Sequence, residues 1–173
     1  VVFSGLGGDE IFFGYDHFKK IPFTYNYLST IKKIPFFNFF LNYIFKIFSY
    51  IKNDDRWISV IESSKSIFRL WFLKRSIFTK EYINKENLKS KLNNFSKLYG
   101  DIKKNGDNYD FKNPKIEISY LDSIFYMRNQ LLRDSDWASM YHGVELRTPF
   151  VDFYLLSRLK NIMINYASYQ NKD

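Results

Sequence analysis

A run of glycines near the start of the chain constrains its fold more than any other feature. Val1-Val2-Phe3 is a short apolar stretch, and it stops at Ser4-Gly5-Leu6-Gly7-Gly8-Asp9-Glu10. An apolar run that meets Gly5, Gly7 and Gly8 and then two acids reads as strand, tight loop and helix start. Such a loop lets the backbone approach a ligand closely. Its free N–H groups and the following helix N-terminus favour an anion such as phosphate. Ser4 adds a hydroxyl able to bond a nucleotide. Asp9 and Glu10 carry the wrong charge for phosphate. A carboxylate there makes sense when a hard cation such as Mg²⁺ bridges the two. A tight turn followed by acids that suit the helix dipole explains the same residues. Spacing alone leaves both readings open. The string is not a Walker A loop, since no Gly-Lys-Ser/Thr follows, and it is not a G-x-G-x-x-G dinucleotide fingerprint.

Composition narrows the classes. A length of 173 residues suits one compact domain with its own core. The absence of cysteine excludes disulfides, thiolate metal sites and a cysteine nucleophile. Two histidines, His17 and His142, are a poor basis for a zinc site without thiolates. The apolar share of 46% argues against wholesale disorder. Abundant Phe and Tyr come with abundant Ile, Asn and Lys, a mix typical of AT-rich codons. The net charge of +8 is spread out, with Lys32-Lys33 and Lys103-Lys104 as its nearest approach to a block. Specific nucleic-acid binding is therefore disfavoured, and lysine reads as the default solvent residue. The chain opens inside a strand at Val1, with no signal-peptide pattern, as expected of a piece of a longer protein.

Beyond the loop the chain reads as mostly helical. Asp9–Phe18 is a first helix, weakened by Gly14, and Pro22 and Pro35 punctuate the next stretch. Phe36–Lys52 is the most hydrophobic segment, with Asn38, Asn42, Lys46, Ser49 and Asn53 forming a narrow polar seam. It is too short and too interrupted to cross a membrane. Burial on most sides in a parent protein is the favoured reading, ahead of a helix lying in a membrane interface. Trp57–Leu73 reads as one helix, and Thr79 as the N-cap of another over Lys80–Leu88. Gly100–Pro114 is the clearest loop and a candidate division between helical layers. Ile116–Arg133 is strongly helical, with Leu121, Ile124, Phe125, Arg128, Leu131 and Leu132 near one face. Asp134, Ser135 and Asp136 read as caps for Trp137–His142, with Gly143 as the C′ residue. Val144–Phe150 reads as extended, and Asp152 as the cap of a last helix through Tyr154–Lys160.

Two strings carry a resemblance. Ser4-Gly5-Leu6-Gly7-Gly8-Asp9-Glu10-Ile11-Phe12-Phe13-Gly14-Tyr15 closely resembles the S-G-x-G-G-D-E-L-F-G-G-Y signature of asparagine synthetases. The segment from Leu131 to Asp152, with Asp136-Trp137-Ala138-Ser139-Met140 and Glu145-Leu146-Arg147-Thr148-Pro149-Phe150-Val151-Asp152, resembles that family's L-L-x-x-x-D-R-x-S-M-A-H-x-x-E-x-R-x-P-F-L-D segment. The resemblance implies the synthetase domain of the PP-loop ATP pyrophosphatase type, an α/β fold of the adenine nucleotide alpha hydrolase kind. This chain would be a predominantly α-helical fragment of it, residues 1–173, with one short N-terminal strand. It implies adenylation of a carboxylate by ATP with Mg²⁺, then attack by ammonia derived from glutamine, in the cytoplasm. Its partners would be these small molecules and the remainder of the parent chain. A homodimer is compatible with it, and a membrane partner is disfavoured.

Carried over by position, the resemblance puts Ser4 and Gly5, with Gly7 and Gly8, at the ATP contact. It gives Asp9 the catalytic acidic role that holds Mg²⁺ and pyrophosphate, and Glu10 a supporting role at the metal. Leu6 stands where many asparagine-forming members have Glu, a position associated with handling the acyl-adenylate or the amine. Leucine does neither, which leaves the acceptor open between aspartate and another carboxylate, such as a sugar acid or a peptide. Phe13 replaces a family Gly, and Trp137 a family Arg. Asp136, Glu145, Arg147 and Asp152 read as a structural charge network at the wall of the site, with Glu145 and Arg147 on one side of an extended stretch. His142 reads as a helix-end polar contact. The PP-loop string S-G-G-x-D-S is not in the chain and is expected before Val1, as is the glutaminase domain. The isolated fragment is accordingly expected to lack synthetase activity. A basic, aromatic-rich helical module for a membrane or nucleic acid is the alternative from a different class.

Overall fold

The computed structural model describes residues 1–34, 37–54, 56–76 and 113–169. They fall into two compact units, one built from Val1–Phe23 and Phe111–Asp173, the other from Thr24–Asp110. As expected, the described chain is mostly helical, and its only sheet among the described residues is short.

In the first unit, strand β1 (Val2–Phe3) pairs in parallel with β2 (Leu146–Arg147), Val2 opposite Leu146 and Phe3 opposite Arg147. The flanking N–H groups extend the ladder: Val2 donates to the Glu145 carbonyl and Ser4 to the Arg147 carbonyl, both at 2.8 Å. Helix α1 (Gly8–Phe12) follows the glycine loop. The expected single helix from Asp9 to Phe18 is broken, because Phe13 adopts a left-handed backbone with φ 57°. Helix α2 (His17–Ile31) then starts afresh and contains Pro22 in its interior. Pro22 therefore does not punctuate the chain there. The helix tolerates the one missing N–H donor.

The return of the chain to this unit is a long helical rod. Asn113 caps helix α6 (Pro114–Leu121), accepting from the Lys115 N–H at 2.9 Å, with Pro114 at the first helical position. The rod continues as a π-helical segment (Asp122–Leu131) and then as helix α7 (Leu132–Tyr141). Asp134, Ser135 and Asp136 thus lie inside a helix and cap nothing at its start. His142 and Gly143 end it, Gly143 at φ 65° donating to the Met140 carbonyl as the expected C′ residue. After β2, a 3₁₀ turn (Pro149–Val151) leads to helix α8 (Phe153–Tyr169), capped as expected by Asp152, whose carboxylate accepts from the Leu155 N–H at 2.8 Å. Ile11, Phe13, Phe18, Ile21, Ile118, Leu121, Met127 and Ala167 are buried in this unit.

In the second unit, helix α3 (Phe37–Lys52) packs against α4 (Arg56–Ser63), and α4 against α5 (Ile67–Arg75). The stretch expected as one helix over Trp57–Leu73 is two. Ser64 bonds back to the Ile61 carbonyl at 2.7 Å, and Ser66 opens α5 by accepting from the Arg69 N–H. Leu28, Leu41 and Ile61 form the core here, with Ile31, Phe45 and Val60 packed on it. Lys32 reaches across to the Ile61 carbonyl and the Ser64 hydroxyl, satisfying the C-terminal end of α4. Burial, reinforced by Lys65, pushes its ammonium pKa below the usual lysine value. The cap at Thr79, the helix Lys80–Leu88, Pro35 and residues 100–112 of the expected loop lie outside the described residues.

Candidate functional site

The sheet brings the two motif strings together, although they lie far apart along the chain. Within the loop, the Gly8 N–H donates to the Gly5 carbonyl at 3.0 Å and the Leu6 N–H to the Ser4 hydroxyl at 3.3 Å. Ser4 therefore shapes the turn. Gly7 sits at φ 92°, and a Cβ there would lie 3.0 Å from Val151 Cγ2 and 3.3 Å from the Phe150 backbone. Only glycine provides both that conformation and that clearance. The loop is thus wedged onto the 3₁₀ turn of the second string, where Phe12 and Phe150 meet edge to face at 6.1 Å. At Gly5 the opposite holds: the residue is exposed and a Cβ would meet nothing within 4 Å. One side of the loop is packed against protein, and the other is open to an approaching molecule.

Asp9 and Glu10, adjacent in α1, have opposite surroundings. Asp9 is exposed, with its carboxylate folded over Gly14, so that a Cβ on Gly14 would collide with Asp9 Oδ1. Glu10 is 2% exposed. Its carbonyl accepts from the Ser119 hydroxyl at 2.7 Å, and its Oε1 accepts from the Tyr15 hydroxyl at 3.4 Å. Its Oε2 is buried and has no hydrogen-bond partner among the described residues. Burial raises the Glu10 pKa above the usual carboxylate range, and the charges of Asp122 and Asp9 add to it. The backbone N–H and Tyr15 oppose the shift only in part.

The first unit also holds a buried polar pair that the sequence pattern does not assemble. His17 Nε2 and Asp122 Oδ2 are 2.5 Å apart, with Asp122 fully buried and His17 nearly so. Tyr15 stacks on the His17 ring at 5.2 Å. His17 was visible only as one of two histidines. Its partner is 105 positions away on the rod, and no local spacing announces the pair.

The second string is arranged differently from the expected network. Glu145 and Arg147 do share one side of the strand, and Arg147 Nε lies 2.8 Å from Glu145 Oε1, but both side chains are more than half exposed. Asp152 is occupied as the cap of α8, and Asp136 is exposed on α7. The four are not joined in a buried network. Trp137 is exposed on α7, and His142 is the exposed C-cap residue of that helix. Leu6 is half-buried within the glycine loop.

Among the described residues no group of three or more His, Asp or Glu side chains converges as a metal site. A Mg²⁺ ion held by one carboxylate, substrate phosphates and water needs no such group. Asp9, exposed in the first turn of α1, fits that role, and buried Glu10 does not.

A family model described as asparagine synthase matches residues 1–171. No curated protein and no solved structure matches the chain.

Proposed function

Because the chain belongs to the asparagine synthase family, we propose that its glycine loop forms part of the nucleotide site of an ATP-dependent amide-forming ligase. The observation that carries this reading is the two-sided loop: packed through Gly7 onto Pro149–Val151 and open at Gly5, with Asp9 exposed in the first turn of the helix that follows. A backbone held from behind by β2 is preorganised and contacts a ligand without reordering. Ser4 and Gly5 meet the nucleotide at the strand end, the usual ligand position in open parallel sheets. Asp9 binds Mg²⁺, and Mg²⁺ when bound offsets charge that develops on pyrophosphate as the carboxylate is adenylated. Glu10 holds α1 in place from its buried side and has no role at the metal. Glu145 and Arg147 shape the strand that braces the loop.

The reaction read from the family is the conversion of aspartate to asparagine with glutamine-derived ammonia in the full-length protein. Leu6 favours a second reading, an acceptor carboxylate other than aspartate. An apolar half-buried side chain there neither takes a proton nor holds an ammonium ion. One experiment addresses both readings. In the full-length protein, Asp9→Asn is expected to lower ATP–pyrophosphate exchange by about 100-fold. Unchanged exchange removes Asp9 from the site. With glutamine, ATP and aspartate, efficient asparagine formation excludes the second reading, and exchange that depends on a different carboxylate supports it.

A further inference from the structure

Helix α3 presents its most hydrophobic surface outward. Leu41, Phe45 and Ser49 face the second unit's interior. The opposite side carries Phe39, Phe40, Tyr43, Ile47, Tyr50 and Ile51, between 43% and 91% exposed. At 100° per residue these six fall within a single stripe about a third of the helix circumference wide. Ser49, which the sequence pattern assigns to the polar seam, belongs to the packed side, while Asn42 and Lys46 line one flank of the stripe. Single exposed apolar residues are ordinary, but a continuous aromatic and aliphatic stripe marks an interaction surface.

Charge identifies what it meets. From His17 to Asn53 the sequence holds six lysines and no acidic residue. Lys33, Lys46 and Lys52, before, beside and at the end of α3, are exposed. A second copy of the same surface would set Lys46 against its own kind. The stripe holds no amide or carboxylate to fix a hydrogen-bonded register with a protein partner. Its only polar groups are the phenols of Tyr43 and Tyr50, side chains suited to the depth where lipid chains meet headgroups. No helix among the described residues is long and apolar enough to cross a membrane. A helix lying flat needs only one apolar face.

We propose that α3 docks the protein onto an anionic phospholipid surface, the stripe entering the interface and the flanking lysines meeting lipid phosphates. The test is flotation of the full chain with phosphatidylcholine vesicles, with and without phosphatidylserine. Binding is expected to the anionic vesicles and to be at least about tenfold weaker to neutral ones, falling as salt rises. The double variant Phe39→Ser/Tyr50→Ser should bind at least about tenfold more weakly with an unchanged melting temperature, since these are the two most exposed side chains of the stripe. Should that variant melt early, quenching of a Tyr50→Trp chain by brominated lipid decides instead, with loss of indole fluorescence expected relative to the unsubstituted chain. The proposal is overturned by absence of flotation, by equal binding to neutral vesicles, by full binding of a folded double variant, or by an introduced indole that brominated lipid leaves unquenched. It is also overturned if the stripe proves to be buried in a dimer of the chain.

Discussion

Asp9 and Glu10 show how one residue step changes the chemistry of a carboxylate. A step along a helix turns the side chain by about 100°, enough to move it from solvent into the packing beneath. The glycine loop was legible in sequence, because strand, glycines and acids occur in order. The burial of Glu10 was not, because the Ser119 hydroxyl that donates to its carbonyl lies 109 positions along the chain. The raised pKa of Glu10 makes a testable statement about stability. Between the unfolded value near 4.5 and the higher folded value, the folded state binds more protons than the unfolded state. Stability contributed by this group is therefore greatest at low pH and falls as pH rises through that window. Glu10→Gln has no proton to lose. Its melting temperature relative to the parent chain is expected to rise from pH 4 to pH 7, and a pH-independent difference would contradict the assignment.

At the scale of elements, the departures from expectation have local causes. Phe13 occupies a left-handed conformation that glycine adopts freely, and it ends α1. The ring is buried against Phe18 at 5.2 Å and stacks on Tyr166 at 6.1 Å. The residue that breaks the helix thus also anchors it. Phe13→Gly should recover about 1–2 kcal/mol of backbone strain and forfeit about 3–5 kcal/mol of ring burial. The variant is expected to be about 2 kcal/mol less stable in urea unfolding, and a gain in stability would show that strain dominates. The rod from Pro114 to Tyr141 was legible as two helices, Ile116–Arg133 and Trp137–His142, but neither its continuity through Asp134–Asp136 nor its winding was. Its middle is π-helical, with hydrogen bonds from i to i+5, so a 3.6-residue period loses register there. Met127 is buried although the expected face omits it, and Arg128, which that face includes, is exposed. The break at residues 63–66 escaped the sequence pattern because a hydrophobic count runs smoothly through it, whereas hydroxyls bonding to nearby backbone divide the helix.

At the scale of the molecule, the first unit is assembled from two separated stretches of chain, which leaves it after Phe23 and returns at Phe111. The family was legible because its two strings survive in order, and they meet in space because β1 and β2 pair. What covers the outward face of α3 was not legible, since a helical period distinguishes two faces without saying which one the protein itself fills. The pairing of Val2 with Leu146 also dictates an order of events. On the ribosome the glycine loop emerges well before the strand that braces it. Closing so long a loop is entropically slow compared with winding the helix at Pro114–Leu121. In pulsed hydrogen exchange during refolding, the amides of Val2 and Ser4 are expected to gain protection after those of that helix, and earlier protection would refute the order. Until β2 is made, the nascent loop is an unbraced glycine-rich tether. The braced loop is therefore a late acquisition of synthesis, and a chain interrupted before Leu146 carries the loop's sequence without its shape.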